Sequence, residues 1–128
     1  MSQASHTSPE TEVLKELLKR CPKGTYEAAL ALRAHNDVAQ VPVIVMGIID
    51  RHLEPDQKEV LAKGSDEIRL YEDLGVDSLT MLEIVMMVEQ TLQVSIDNEE
   101  LRDLRTIGDV KAYLDAKVKG EEPPKRAK

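Results

Sequence analysis

Residues 70–96 read LYEDLGVDSLTMLEIVMMVEQTLQVSI, and how this stretch folds decides the rest. An acidic loop carrying Gly75 hands the chain to an Asp-Ser pair, after which the sequence turns almost wholly apolar. Asp77 is a good helix N-cap, so the pattern predicts a helix from Ser78 to about Leu92. Of the ten residues Leu79–Val88, only Thr80 and Glu83 are polar. Met81, Ile84, Val88 and Leu92 recur at the i, i+3, i+7, i+11 spacing of a core face. A second stripe, Leu79, Leu82 and Met86, lies around the helix beside Glu83 and Glu89. A helix this apolar is either central to a bundle or presents one face to a partner, and both readings stand at this point.

Working outward, the flanks are helical too. Pro9 to about Arg20 forms a first helix, with Thr7 or Ser8 as cap and Val13, Leu14, Leu17 and Leu18 as its stripe. Cys21-Pro22-Lys23-Gly24 breaks it, and Thr25 opens a second helix rich in Ala and Leu. Asp37–Gln40 is a joint; Pro42 marks a third helix running to about Leu53, which Pro55 ends. Residues 56–76 read as a long charged connection, with Ile68, Leu70 and Leu74 anchoring it. After Leu92, Asp97 caps a short helix in NEELRDL, and Thr106 caps a last one from Ile107 to about Lys117. No alternating strand is visible. The predicted class is all-α, with residues 1–40 as an N-terminal helical extension, 41–118 as the main bundle and 119–128 as a flexible tail.

Composition agrees with packed helices. The 128 residues include no Trp, no Phe and three Tyr, so Leu, Ile, Val, Met and Ala must build the core. Residues 65–104 hold 11 acidic residues against Arg69 and Arg102, a local charge of −9. Nucleic acid is therefore an unsuitable partner, whereas basic protein surfaces would be drawn in. One cysteine, Cys21, makes no internal disulfide; no signal peptide or membrane-spanning run is evident, and a cytoplasmic location is expected.

Ser78 is the residue with chemistry to offer. A helix mouth gathers unpaired N–H groups and the positive dipole end, so a phosphate esterified there would be well received. A serine that merely begins a helix explains the same spacing. Serine catalysis is disfavoured: the context Val76-Asp77-Ser78-Leu79-Thr80 lacks the flanking glycines of a nucleophile elbow, and His6, His35 and His52 form no visible triad with it. No zinc spacing, P-loop or dinucleotide fingerprint is present, and no enzyme activity or metal is expected.

The quoted stretch resembles the acyl carrier proteins of dissociated fatty-acid and polyketide systems. The likeness rests on acidic residues before an L-G-x-D-S-L core, the apolar helix, the link to Ile96, an acidic short helix and a capped final helix, and spans roughly residues 41–118. It implies a four-helix bundle with a short third helix and a long loop after the first. It implies that a phosphopantetheinyl transferase adds 4′-phosphopantetheine to Ser78, whose thiol then holds acyl groups as thioesters, with Asp77 aiding recognition by the transferase. Leu79, Leu82, Glu83, Met86 and Glu89 become docking positions for ketosynthase, acyltransferase and other acyl-processing enzymes. Met81, Ile84, Met87, Val88, Ile96 and Leu104 become the lining for an acyl chain, in a monomer. A peptidyl or D-alanyl carrier, or a helical interaction module in which Ser78 is only structural, are the competing expectations. Thr80 and Gln90 stand where the family often has acid, which points to a dedicated enzyme set; the extension before residue 41 falls outside the pattern and could pack on the bundle, bind a partner or hang free.

Overall fold

The computed structural model describes residues 9–121; the cap assigned to Thr7 or Ser8 and most of the tail lie outside them. Among the described residues there are seven α-helices and no strand: α1 (Pro9–Leu17), α2 (Thr25–His35), α3 (Val41–Arg51), α4 (Pro55–Leu61), α5 (Ser78–Leu92), α6 (Asn98–Leu101) and α7 (Ile107–Lys119). A single 3-10 turn, Val38–Gln40, joins α2 to α3.

The centre is α3. Val41, Ile44, Val45, Ile48 and Ile49 are all buried, and α3 packs against α2, α5 and α7. β-Branched residues are poor helix formers, so burial on several sides rather than intrinsic propensity holds α3 together. With α5, the short α6 and α7 it makes the expected four-helix bundle. In α7, Thr106 accepts from the Asp109 amide at 3.1 Å while Asp109 returns a carboxylate to the Thr106 amide, also at 3.1 Å. Gly120 ends that helix in the left-handed conformation, φ 76°.

Two boundaries differ from the sequence reading. Pro55 does not end the third helix, which stops at Arg51; it opens α4, in a stretch expected to be loop. Glu54 caps α4 in a capping box with Gln57, whose side chain accepts the Glu54 amide at 2.9 Å. Glu is not among the usual N-cap residues, which is why the start signal passed unread. The first helix ends at Leu17 rather than Arg20. Pro22 disfavours helical geometry at Cys21, and the chain turns early to bring Thr25 onto α3.

What remains of the long connection, residues 62–77, is stapled rather than loose. Ile68, Leu70, Leu74 and Val76 are buried. The Leu70 amide donates to Arg105 O and the Ile107 amide to Ile68 O, both at 2.9 Å, pinning the loop to the start of α7. Gly75 is left-handed, φ 67°, which lets Leu74 and Val76 both turn inward while Asp77 and Ser78 point out.

The N-terminal helices dock on the bundle. Leu14, Leu18, Ala28, Ala29 and Leu32 belong to the same buried cluster as α3, α5 and α7. Thr25 sits against Gly47 of α3 so closely that a Cβ at 47 would lie 2.1 Å from its Oγ1. Arg33 reaches the far end of α5, donating to the carbonyls of Gln90 at 2.9 Å and Thr91 at 3.2 Å. A cation at a helix C-terminus satisfies acceptors that have no partner within the helix.

Candidate functional site

Ser78 is the first residue of α5. Asp77 precedes it in extended geometry and accepts the Thr80 amide at 2.8 Å, closing the first turn. That amide holds the Asp77 carboxyl below the usual carboxylate range, so it is charged at neutral pH. Ser78 itself is exposed, and its hydroxyl makes no hydrogen bond among the described residues. A side chain that caps a helix turns its oxygen to the backbone, as Asp77 does. Here the aspartate takes the capping role and the serine oxygen is left over. It faces solvent at the positive end of a fifteen-residue helix.

Among the described residues neither histidine is hydrogen-bonded to this oxygen, and His6 lies outside them. His35 ends α2, and His52 follows α3, where its ring meets the Ile48 carbonyl at 2.8 Å and the Arg51 guanidinium at 2.9 Å. The hydroxyl is thus accessible, and no described residue is hydrogen-bonded to it. It suits a group attached by a second protein, and a phosphodiester on it would stand at the helix mouth. The residues therefore fit a phosphopantetheine arm.

The two stripes of α5 divide cleanly. Met81, Ile84, Val85, Val88 and Leu92 are buried. Leu79, Leu82 and Met86 are 67%, 51% and 59% exposed, with Glu83 exposed among them. This second stripe is not core. Methionine and leucine are here held in water on a rigid helix, where apolar side chains are seldom left together. Glu89 is half-buried and takes the Ile96 amide at 2.8 Å, so only part of its charge faces outward.

Of the expected lining residues, Met81, Ile84, Val88 and Leu104 are buried and Met87 and Ile96 half-buried against the core. α5 rests on α3 and α1, and the short α6 segment follows it in the chain. That segment is latched to α7 by a contact the sequence reading did not foresee. The Tyr113 hydroxyl donates to Glu100, and Lys117 pairs with the same carboxylate at 3.5 Å while lying 5.7 Å from the tyrosine ring. Burial, then the Glu100 carboxylate, push the Tyr113 hydroxyl well above the ordinary tyrosine value.

Comparison with known proteins places this geometry. A family model for the phosphopantetheine attachment site matches residues 58–114. Similar relatives are the acyl carrier proteins of Thermotoga maritima, 34% identical over 74 residues, and Syntrophobacter fumaroxidans, 37% identical over 78. That of an Exiguobacterium species is 35% identical over 79 residues. These matches take in 86%, 91% and 95% of the three relatives but only 58%, 61% and 62% of this chain. No solved structure matches it. The chain belongs to the acyl carrier protein family, with 4′-phosphopantetheine as its covalent prosthetic group and the carriage of acyl groups as its function.

Proposed function

We propose that Ser78 is the attachment residue. The observation that carries this reading is an exposed hydroxyl with no hydrogen-bond partner among the described residues, at the first position of a long helix within the matched segment. The Ser78 oxygen bonds to the pantetheine-bearing phosphorus of coenzyme A, the bond to the nucleotide phosphate breaks, adenosine 3′,5′-bisphosphate leaves, and the hydroxyl proton passes to a base on the transferase. When bound, the arm supplies a thiol on which acyl groups ride as thioesters. Asp77 fixes the first turn of α5 and presents a carboxylate beside the acceptor oxygen. The first-turn dipole favours the negative charge of the resulting phosphodiester.

In this reading residues 41–118 are the carrier unit and 1–40 an added helical pair, followed by a tail from 119. The acyl chain shelters among Met81, Ile84, Met87, Val88, Ile96 and Leu104. Leu79, Leu82, Glu83 and Met86, with the outward part of Glu89, meet the transferase, ketosynthase and acyltransferase. The chain itself turns over no substrate and works as a monomer in the cytoplasm, serving a fatty-acid, polyketide or specialised lipid system. Intact-mass analysis of protein purified from its own host tests the assignment: it predicts a phosphopantetheinylated form with a hydroxylamine-labile acyl group. A chain carrying only an aminoacyl group would make it a peptidyl or D-alanyl carrier, and a wholly unmodified chain would favour an interaction module.

A further inference from the structure

The matched relatives align over most of their own length and about three-fifths of this chain, so helices α1 and α2 are additional to what those relatives share with it. Among the described residues their packing leaves one large apolar side chain outside. Val13 is 67% exposed, although Leu14 and Leu18 on the same segment are buried. Val13 and Leu17 of α1, Arg33 of α2, Glu89 and Gln90 of α5, and Gln93 at its C-terminal cap line a groove of about 510 Å³.

The groove continues the outer face of α5. Positions 79, 82, 83, 86, 90 and 93 recur at helical spacing, and all are exposed. From Leu79 to Met86 the apolar stripe is only about 10 Å long, and roughly 21 Å of helix separates Leu79 from Gln93. A standard protein interface takes about 800 Å² from each partner, a patch roughly 30 Å across. A partner centred on Leu82 and Met86 therefore reaches the α1 ledge.

Charge identifies the kind of partner. The N-terminal half of the α5 face is acidic, with exposed Asp77 and Glu83. The groove end carries neutral Gln90 and Gln93 and the Glu89 carboxylate, which takes the Ile96 amide, and the Arg33 guanidinium is turned inward onto the Gln90 and Thr91 carbonyls. On α1, Glu16 pairs with Lys19, leaving the ledge nearly balanced. We infer that α1 and α5 form one composite docking face, and that its occupant is an acyl-processing enzyme presenting basic side chains to Asp77 and Glu83 and an apolar side chain to the groove beside Val13 and Leu17. This rests on the docking role proposed for α5. Basic side chains steer encounter, whereas the apolar insertion selects by shape, so an enzyme fitted to a carrier without α1 gains nothing from the ledge.

The test places a photoreactive benzoylphenylalanine at position 13, 82 or 43 of the full-length phosphopantetheinylated chain and irradiates it with the ketosynthase of the same organism. Val43 is the exposed control on α3. Cross-links to the ketosynthase are expected from positions 13 and 82, not from 43. Val13→Lys, at an exposed site that leaves the fold intact, should raise the KM for the acylated carrier about five- to tenfold with kcat unchanged. Cross-linking from 82 without 13, or a KM unmoved by Val13→Lys, overturns the composite face and leaves docking on α5 standing. Loss of cross-linking from both positions removes the underlying docking role as well. Cross-links from 13 to residues 1–8 or to a second copy of the chain also overturn it, because the groove then has another occupant.

Discussion

Replacing Gly47 by Ala sets two effects of known sign against each other. Within a free helix the exchange stabilises by about 1 kcal/mol, because glycine has the greater conformational freedom to lose. In this fold the new Cβ would lie 2.1 Å from Thr25 Oγ1, 2.9 Å from its Cγ2 and 3.0 Å from its Cβ. Rotating the threonine moves the first two atoms but not the third, and Thr25 is 2% exposed at the start of α2, so the helix itself must back away. Overpacking of this kind costs about 1–3 kcal/mol, and more where the backbone must move. A net loss of about 1–2 kcal/mol is expected, read as a lowered midpoint in urea denaturation followed by circular dichroism. Thr25→Ala in the same chain removes the two closest atoms, so the double variant should recover about 1 kcal/mol or more of the alanine penalty as a coupling term. If Gly47→Ala instead raises stability by the full propensity gain, α2 does not lie on α3 and the docked extension is wrong.

Other consequences are accessible to the same methods. Tyr113→Phe removes a donor to Glu100 and should cost about 1 kcal/mol near neutral pH. Because the folded-state value of Tyr113 is raised, its contribution is complete below the ordinary tyrosine value, about 10, and fades as pH climbs toward the folded value. Above pH 10 the stability gap between the native chain and Tyr113→Phe should therefore narrow; a constant gap would rule out the buried tyrosine–carboxylate contact. Arg33→Ala strips the cation from the end of α5 and should cost about 1 kcal/mol and speed hydrogen exchange in that helix's last turn. Unchanged exchange there would disprove the clamp. With a charge of −9 over residues 65–104, added salt should raise the Tm, since screening relieves self-repulsion; a Tm indifferent to salt would contradict this.

The helices nearest the site were legible because their starts carry strong local signals. Asp77, Asp97 and Thr106 cap α5, α6 and α7 as their sequences predict, and the inward stripe from Met81 to Leu92 is buried as its spacing requires. What stayed hidden depends on partners distant in sequence. Whether Leu79, Leu82 and Met86 face water depends on where α1 and α2 settle, which no local pattern encodes. Arg33 meets carbonyls 57 and 58 positions away, and Gly47 looks unremarkable until Thr25 is placed against it. The start of α4 was missed for a local reason, since Glu54 caps it in place of a shorter side chain.

The most direct measurement is localisation of the modification by peptide mass spectrometry after incubation with coenzyme A and a broad-specificity phosphopantetheinyl transferase. Cleavage after Arg69 and Arg102 yields one peptide holding Ser78 together with Tyr71, Thr80, Thr91 and Ser95, so fragmentation must choose among five hydroxyls. A single phosphopantetheinyl group on Ser78, abolished by Ser78→Ala, is the predicted result. An unmodified native chain, or a group that Ser78→Ala leaves in place on another residue, would contradict the account.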